Sequence, residues 1–301
     1  MALDALLFVL LLLALGKACA HWRMFPANAA EVLNLFALYL CLPAAVLRYV
    51  PRLVLSPAVL GLIAIPWLLL LASALLVNAL ARAWALRDDE RAVLLLCVPL
   101  GNTSFLGYPL TQALLGEAAL PYAVIYDQFG SFLILSTFGL WVLARYGGDA
   151  RPTAMAVLRR ILRFPPFLAL AFALLLMPAA PPAWLDAILQ RLADALLPVV
   201  ALAVGLSLKL RLPRDELRPL AAGLALKLGL LPLLALGLAL RLSLSPGMAD
   251  AATLESAMPP MITAGALAIS HRLAPGLAAA LVGYGTLLAL LTLPLWAWLL
   301  R

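Results

Sequence analysis

Residues 101–109, Gly-Asn-Thr-Ser-Phe-Leu-Gly-Tyr-Pro, and residues 255–260, Glu-Ser-Ala-Met-Pro-Pro, interrupt apolar segments that are long enough to span a membrane. Each stretch combines helix-breaking residues with polar side chains. Backbone that has lost its helical hydrogen bonds is not tolerated against lipid, so it must be buried in protein or line a polar cavity. Paired interruptions at matching positions of two halves of a chain are typical of the binding site of a secondary transporter.

The composition places the chain in a membrane. Of the 301 residues, 66% are hydrophobic and 12% are charged, whereas soluble domains are about half apolar and about a quarter charged. Cys19, Cys41 and Cys97 lie within or beside apolar segments without metal-ligand spacing, which predicts packing residues and no disulfide framework. The first twenty residues end in Ala-Cys-Ala but contain Asp4 and no basic residue before Lys17, so they are interpreted as a membrane helix and not as a cleaved signal.

A membrane-spanning helix needs about 20 apolar residues. On that scale the sequence predicts an all-α membrane protein with ten transmembrane helices, at roughly 3–20, 28–47, 57–81, 91–115, 119–145, 161–179, 185–208, 216–242, 249–271 and 275–299. The two interruptions fall in the fourth and ninth segments, the fourth of each half.

The two halves resemble each other in the order of their prolines. Pro43 in segment two is matched by Pro198 in segment seven, and Pro66 in segment three by Pro232 in segment eight. Because each half holds five helices, an odd number, the second half enters the membrane from the opposite side. The pattern therefore predicts two inverted five-helix repeats, in which the broken helices four and nine occupy matching positions.

Basic residues in the loops set the orientation. Most Lys and Arg residues outside the spans fall on one side of this topology, and only Arg48, Arg52, Arg241 and Arg301 fall on the other. Positively charged loops stay cytoplasmic. We therefore expect both termini on the periplasmic side, with the connection between helices five and six in the cytoplasm. The net charge of +7 follows from these loops and does not call for a nucleic-acid partner.

The first break offers ligands for a polar substrate. Asn102, Thr103 and Ser104 supply oxygen ligands and donors, and Gly107 lets the backbone turn. Tyr108 precedes Pro109, which predicts an extended residue followed by a new half-helix whose amino end attracts carboxylates. A second interpretation is a kinked helix whose small polar residues only join neighbouring helices.

The second break adds a carboxylate at membrane depth, which costs about 2.5–3.5 kcal/mol and requires a partner or a proton. Glu255 with the backbone at Met258 would suit Na⁺, or Glu255 itself would carry a coupling proton; a structural hydrogen bond is the remaining interpretation. Pro259 and Thr263 complete this group.

Helices five and eight supply further polar residues. Asp127, Gln128 and Ser131 lie in helix five, and Asp127 is either functional or part of a structural ion pair. Lys227 lies mid-span in helix eight, where it pairs with Asp127, Glu255 or an anionic substrate, or else extends to the membrane surface.

The sequence lacks the common motifs for ATP binding and for hydrolases. It contains no Gly-x-x-x-x-Gly-Lys-Ser/Thr loop for ATP and no His-Glu-x-x-His or Gly-x-Ser-x-Gly hydrolase motif. The sequence predicts a protein that is not an enzyme, has no cofactor, and draws any energy from an H⁺ or Na⁺ gradient.

The chain resembles the auxin efflux carrier family in its short bacterial form. The resemblance rests on residues 101–110 and 254–261, together with Leu-Pro-Val-Val-Ala-Leu-Ala-Val-Gly at 197–205 and Leu-Leu-Thr-Leu-Pro-Leu-Trp at 290–296. It implies a fold similar to PIN carriers and bile acid:sodium symporters, in which helices four and nine cross at their breaks. Such proteins have scaffold helices (1–56 and 147–210, which includes the cytoplasmic loop) and transport-domain helices (57–146 and 211–301). They work as elevators and pair through the scaffold as homodimers.

The resemblance also implies roles for particular residues. It places Asn102 and its neighbours at the substrate crossing, and Asn102, Glu255 and the Met258 backbone where sodium-coupled relatives hold Na⁺. Pro259 stands where those relatives have an amide, and the plant Asn-Pro-Asn pattern is missing. Auxin is therefore not implied, whereas bacterial members are linked with malate or malonate.

These observations predict a secondary active transporter for a small organic anion, a carboxylate, in the bacterial inner membrane. The substrate residues would be Asn102, Thr103, Ser104, Gly107, Tyr108, Pro109, Lys227 and Pro259. The ion-coupling residues would be Glu255, Asp127, Gln128, Ser131, Met258 and Thr263. An uncoupled facilitator or channel and a membrane ligand sensor are the alternatives.

Overall fold

A computed structural model describes residues 2–53, 56–148, 153–208, 210 and 214–300. Within these residues the fold is helical, and the described part contains no named strand. The helices are, in chain order, α1 (Ala2–His21), α2 (Ala29–Arg52), α3 (Ala58–Ala83), α4 (Asp88–Cys97), α5 (Tyr108–Leu115), α6 (Glu117–Tyr146), α7 (Ala154–Leu162), α8 (Pro165–Leu175), α9 (Ala183–Ser207), α10 (Leu217–Arg241), α11 (Pro246–Ser256), α12 (Ile262–Ser270) and α13 (Pro275–Leu299).

Six of the described helices, α2, α3, α6, α9, α10 and α13, are long and apolar enough to cross a bilayer. Shorter apolar stretches, Leu7–His21 and Pro165–Leu175, lie in α1 and α8. The predicted segments at 57–81, 216–242 and 275–299 agree with α3, α10 and α13 to within a few residues. An all-helical fold with several membrane-spanning helices is therefore confirmed.

The sixth predicted segment, 161–179, was wrong in its boundaries. The structure divides this region into α7 and α8 at Phe164, whose backbone is extended (φ −81°, ψ 114°). The residue before a proline avoids the helical region, and Pro165 and Pro166 follow directly. The resulting α8 has 11 residues, which rise about 16 Å and cover roughly half of a hydrocarbon core about 30 Å thick.

The helices group into two compact units. The first unit contains α1, α2, α5, α8, α9 and the start of α6. Inside it α1 packs closely on α9, because a Cβ added at Gly16 would lie only 2.6 Å from the Leu202 carbonyl oxygen. The second unit contains α3, α4, α7, α10 to α13 and the rest of α6.

Prolines determine where several helices widen. Wide π-helical turns, at Ala37–Cys41, Thr103–Gly107 and Leu226–Leu230, directly precede the pairs Leu42-Pro43, Tyr108-Pro109 and Leu231-Pro232. A proline lacks the N–H group that would bond four residues back, and its ring collides with that carbonyl. One extra residue in the turn relieves the collision. For Pro232, the carbonyl four residues back is that of Leu228. This carbonyl accepts a 2.9 Å hydrogen bond from the Trp296 indole N–H in place of a helical one.

The start of α4 is determined by its acidic first turn. Asp88, Asp89 and Glu90 lie at the positive end of the helix dipole, and the Glu90 carboxylate accepts a 2.9 Å bond from the Arg87 backbone N–H. Hydrogen bonds to Asp89 and Glu216 raise the pKa of the Arg87 guanidinium above its usual value. This ionic end anchors the helix that leads to the first break.

Candidate functional site

The first break lies slightly earlier in the chain than the sequence predicted. α4 ends at Cys97, residues 98–102 are not helical, and Thr103 already begins a helical turn. The predicted extended conformation of Tyr108 was wrong, since Tyr108 is the first residue of α5. The π-helical turn before it makes room for the Pro109 ring, so Tyr108 remains helical.

The second break lies where the sequence predicted it. α11 ends at Ser256 and α12 begins at Ile262, so Met258 and Pro259 fall in the irregular backbone between them. Glu255 is completely buried in the last turn of α11. Consecutive prolines cannot continue a helix, because neither can donate a backbone hydrogen bond.

The two breaks pair with each other through their backbones inside the second unit. The Asn102 N–H donates to the Pro259 carbonyl at 2.8 Å, and the Met261 N–H donates to the Leu100 carbonyl at 2.9 Å. These bonds form an isolated antiparallel bridge between Gly101 and Pro260. Backbone groups that would otherwise be orphaned in a membrane are thus satisfied by the opposite break.

Two glycines, Gly101 and Gly285, lie where the breaks meet. A Cβ at Gly101 would lie 3.0 Å from Lys227 Nζ and 3.5 Å from the Glu255 carbonyl oxygen. A Cβ at Gly285 in α13 would lie 2.6 Å from the Pro260 ring. Lys227 of α10 and Gly285 of α13 thus both lie close to the paired breaks within the second unit.

Lys227 reaches the crossing from α10. Its side chain is 2% exposed, and Nζ donates a 3.1 Å hydrogen bond to the carbonyl oxygen of Ser256, the last residue of α11. Of the partners suggested by the sequence, Glu255 lies within electrostatic range of the ammonium group.

A second polar group joins the first break to α6. The Thr103 hydroxyl donates to Asp127 Oδ1, and Gln128 Nε2 donates to Asp127 Oδ2 at 2.7 Å. All three side chains are buried, as is Ser131 one turn further along. Both carboxylate oxygens of Asp127 thus accept a hydrogen bond.

Asn102 differs from its neighbours in its hydrogen bonding. The residue is 2% exposed, and its side-chain Nδ2 is buried without a hydrogen-bond partner among the described residues. A buried donor that is left without an acceptor costs roughly 1–3 kcal/mol. A native chain retains such a group where it is needed for another purpose, and an absent ligand is one explanation.

The remaining predicted residues do not all share this environment. Thr263 is exposed on the first turn of α12. Ser104, Gly107, Tyr108 and Pro109 belong to the first unit, whereas Asn102, Thr103, Asp127, Lys227, Glu255 and Pro259 belong to the second. The second unit thus holds the centre of the candidate site.

Sequence reasoning assigned no role to the Ser256 carbonyl or to Gly285. The position of Ser256, directly before Ala-Met-Pro-Pro, was a usable signal, because the last carbonyls of a helix lack intrahelical donors. Gly285 gave no local signal, since its closeness to Pro260 arises only from packing.

Comparisons with known proteins identify the family. Residues 1–297 match the family described as membrane transport protein. An uncharacterised transporter of Methanothermobacter thermautotrophicus is 27% identical over 299 residues, which cover 98% of this chain and 97% of that protein. An uncharacterised transporter of Methanocaldococcus jannaschii is 25% identical over 308 residues, which cover 99% of this chain and 98% of that protein.

The membrane-spanning helices and the family match agree that this is a multi-pass membrane protein. The resemblance drawn from residues 101–110 and 254–261 is confirmed, because the matched region contains both breaks. The chain belongs to the membrane transport protein family, the family of the auxin efflux carriers.

Proposed function

We propose that the protein is a secondary transporter that moves a small organic anion, a carboxylate, across the inner (cytoplasmic) membrane by alternating access. Membership of a transporter family supports the general activity. The pairing of two breaks inside one unit supports a binding site there, since irregular backbone at membrane depth must line a cavity or be buried in protein.

The observation that carries the choice of an anion is the buried Asn102 side chain. Its Nδ2 is a donor without an acceptor among the described residues, and a substrate carboxylate would supply the acceptor. In the proposed site, which lies in the second unit, Asn102, Thr103 and Pro259 contact the substrate, and Lys227 balances its charge. Half-helix amino ends add partial positive charge.

Glu255 and Asp127 are the proposed coupling groups, supported by Gln128, Ser131 and Met258. Carboxylates buried at membrane depth commonly serve proton or ion relays. The coupling ion is H⁺, or Na⁺ bound by Asn102, Glu255 and the Met258 backbone.

We further propose a ten-segment arrangement of two inverted repeats. Its segments are α1, α2, α3, α4 with α5, α6, α8, α9, α10, α11 with α12, and α13. In this proposal α1, α2, α8 and α9 form a scaffold that pairs into a homodimer. The second unit together with α5 forms the moving transport domain of an elevator.

The decisive experiment is solute counterflow in proteoliposomes. Purified protein is reconstituted, loaded with one dicarboxylate from a panel that includes malate and malonate, and supplied with the labelled compound outside. A carrier shows saturable uptake and counterflow. Conductance without saturation would instead identify a channel, and binding without flux would identify a sensor.

Coupling is tested by imposing H⁺ and Na⁺ gradients separately on Glu255→Gln. We expect this variant to retain counterflow but to lose gradient-driven accumulation, because the neutral amide cannot exchange a proton or balance a cation. Glu216→Gln is the matched control, since Glu216 is also buried but pairs with Arg87 outside the spans. Intact accumulation in Glu255→Gln would refute the coupling assignment.

A further inference from the structure

The strongest unexplained feature of the second unit is the position of the Lys227 ammonium group. Lys227 lies in the π-helical turn Leu226–Leu230 of α10 and is 2% exposed. The turn is held open by Pro232, and the Trp296 indole binds the Leu228 carbonyl within it. The stem of Lys227 thus starts from a braced part of the helix.

The ammonium group lies at the carboxyl end of α11. It donates to the carbonyl oxygen of Ser256 at 3.1 Å, and Ser256 is the last residue of that helix. The final carbonyls of a helix have no intrahelical donors and carry partial negative charge. At membrane depth such a helix end requires a cation, which in transporters is commonly a bound Na⁺ or H⁺.

The surroundings leave the ammonium group little freedom. A Cβ at Gly101 would lie 3.0 Å from Nζ, so the first break lies directly beside the same group. Glu255, whose own backbone carbonyl lies beside Gly101, adds electrostatic attraction. One covalently attached cation therefore serves both the helix end and the buried carboxylate.

We propose that Lys227 is a built-in counter-cation, which replaces a dissociable Na⁺ at the carboxyl end of α11 and makes transport independent of Na⁺. This inference rests on the proposed carboxylate transport and removes the Na⁺ alternative from it. A Na⁺ ion about 4 Å from the ammonium would bind roughly a thousandfold more weakly at an effective dielectric constant of about 20.

The test compares wild type with Lys227→Ala in proteoliposomes that contain either sodium chloride or choline chloride. Wild type should transport equally fast in both. In choline chloride, Lys227→Ala should transport about tenfold more slowly than wild type, because the buried Ser256 carbonyl loses its hydrogen-bond donor. Ethylammonium chloride, which restores an ammonium group to the vacated space, should recover part of the rate.

Lys17→Ala is the matched control. Lys17 Nζ also donates to a backbone carbonyl, that of Leu208 at 2.7 Å, but it belongs to the first unit. This variant should show no response to ethylammonium. Lys227→Met retains most of the side-chain volume without the charge, so it should be slow and should not respond either.

A readout that does not need transport is the melting temperature of each purified variant in detergent. Ethylammonium chloride should raise it for Lys227→Ala, relative to choline chloride, but not for wild type, Lys227→Met or Lys17→Ala. If wild type moves no carboxylate, the proposed function fails, while the melting temperatures still decide the role of Lys227. If transport requires Na⁺ in wild type, or if Lys227→Ala responds to ethylammonium in neither assay, the built-in cation is refuted.

Discussion

Asn102 combines two roles in one residue. Its backbone N–H helps to join the breaks through the bond to Pro259, whereas its side-chain Nδ2 makes no bond among the described residues. The backbone role is open to any residue except proline. The side-chain role is specific to a donor, so substitution should separate binding from stability.

We therefore expect Asn102→Ala to lower substrate affinity about tenfold, because one hydrogen bond to a carboxylate is lost. Its stability should be unchanged or slightly higher, since the unsatisfied donor is removed as well. The measurements are KM in counterflow and the melting temperature in detergent.

Asn78→Ala should show the opposite pattern. Asn78 Oδ1 accepts a 2.7 Å bond from Arg91 Nε, so its loss should lower stability by about 1 kcal/mol without a change in KM. Unchanged affinity in Asn102→Ala would contradict the assignment of Asn102 to the substrate.

Among the elements, α6 is shaped by two π-helical turns, Asp127–Ser131 and Leu135–Gly139. The first turn carries Asp127 and also Gly130, against which the Pro66 ring of α3 packs directly. The Trp67 indole donates a 2.9 Å bond to the Phe129 carbonyl in the same turn. The position of the Asp127 carboxylate thus depends on how closely α3 approaches α6.

Gly130→Ala should therefore destabilise the protein by about 1–3 kcal/mol, because the new methyl group would overlap Pro66 and force the helices apart. Gly237→Ala is the control, since no atom lies within 4 Å of a Cβ placed at Gly237 in α10. That variant should be neutral or gain up to about 1 kcal/mol. Denaturant unfolding in micelles measures both, and equal stabilities would contradict the close α3–α6 contact.

In the first unit, Arg48 links three helices. The guanidinium is 6% exposed and contacts Asp186 at 3.2 Å, Glu117 at 3.5 Å and the Tyr49 hydroxyl at 2.7 Å. These residues come from α2, α6 and α9. A buried arginine with its donors directed at partners in several helices keeps those helices in register.

Arg48→Ala should cost about 2 kcal/mol, since hydrogen bonds to charged groups are lost together with buried packing. Arg52 also binds Asp186, at 3.3 Å, but its side chain is 41% exposed, so Arg52→Ala should cost less than about 1 kcal/mol. Comparison of the two variants by unfolding in micelles checks this. A larger loss in Arg52→Ala would show that burial of Arg48 is not what matters.

At the scale of the whole molecule, the surface is built for lipid. Large apolar side chains on the long helices are strongly exposed, including Leu75 (63%), Leu240 (69%) and Leu291 (73%). In water such surfaces would cause aggregation, whereas in a bilayer they face acyl chains. We propose that the asymmetric distribution of basic residues sets the orientation, with both termini on the periplasmic side.

Cysteine labelling tests that orientation. In a chain whose native Cys19, Cys41 and Cys97 are replaced, single cysteines are introduced at two exposed positions, Ser245 and Met155. A membrane-impermeant maleimide added to intact cells should label Ser245→Cys, which we place outside. Met155→Cys should react only after permeabilisation. The reverse pattern would invert the proposed topology.

The sequence alone determined the class of the protein and most of its helices. Runs of about 20 apolar residues have few stable alternatives in a bilayer, so α3, α10 and α13 could be predicted closely. Local backbone chemistry was harder to predict. The division at Phe164 and the helical Tyr108 both depend on how the chain accommodates a following proline, by an extended residue in one case and by a π-helical turn in the other.

Only the tertiary structure decided the contacts at the breaks. The sequence located both interruptions and named Lys227, Asp127 and Thr103, but it left several partners open for Lys227. The bond to the Ser256 carbonyl, the Thr103–Asp127 pair and the bridge between Gly101 and Pro260 each join residues far apart in the chain. Hydrophobic patterning sets which segments enter the membrane, whereas a few ångströms of helix packing set which buried polar groups meet.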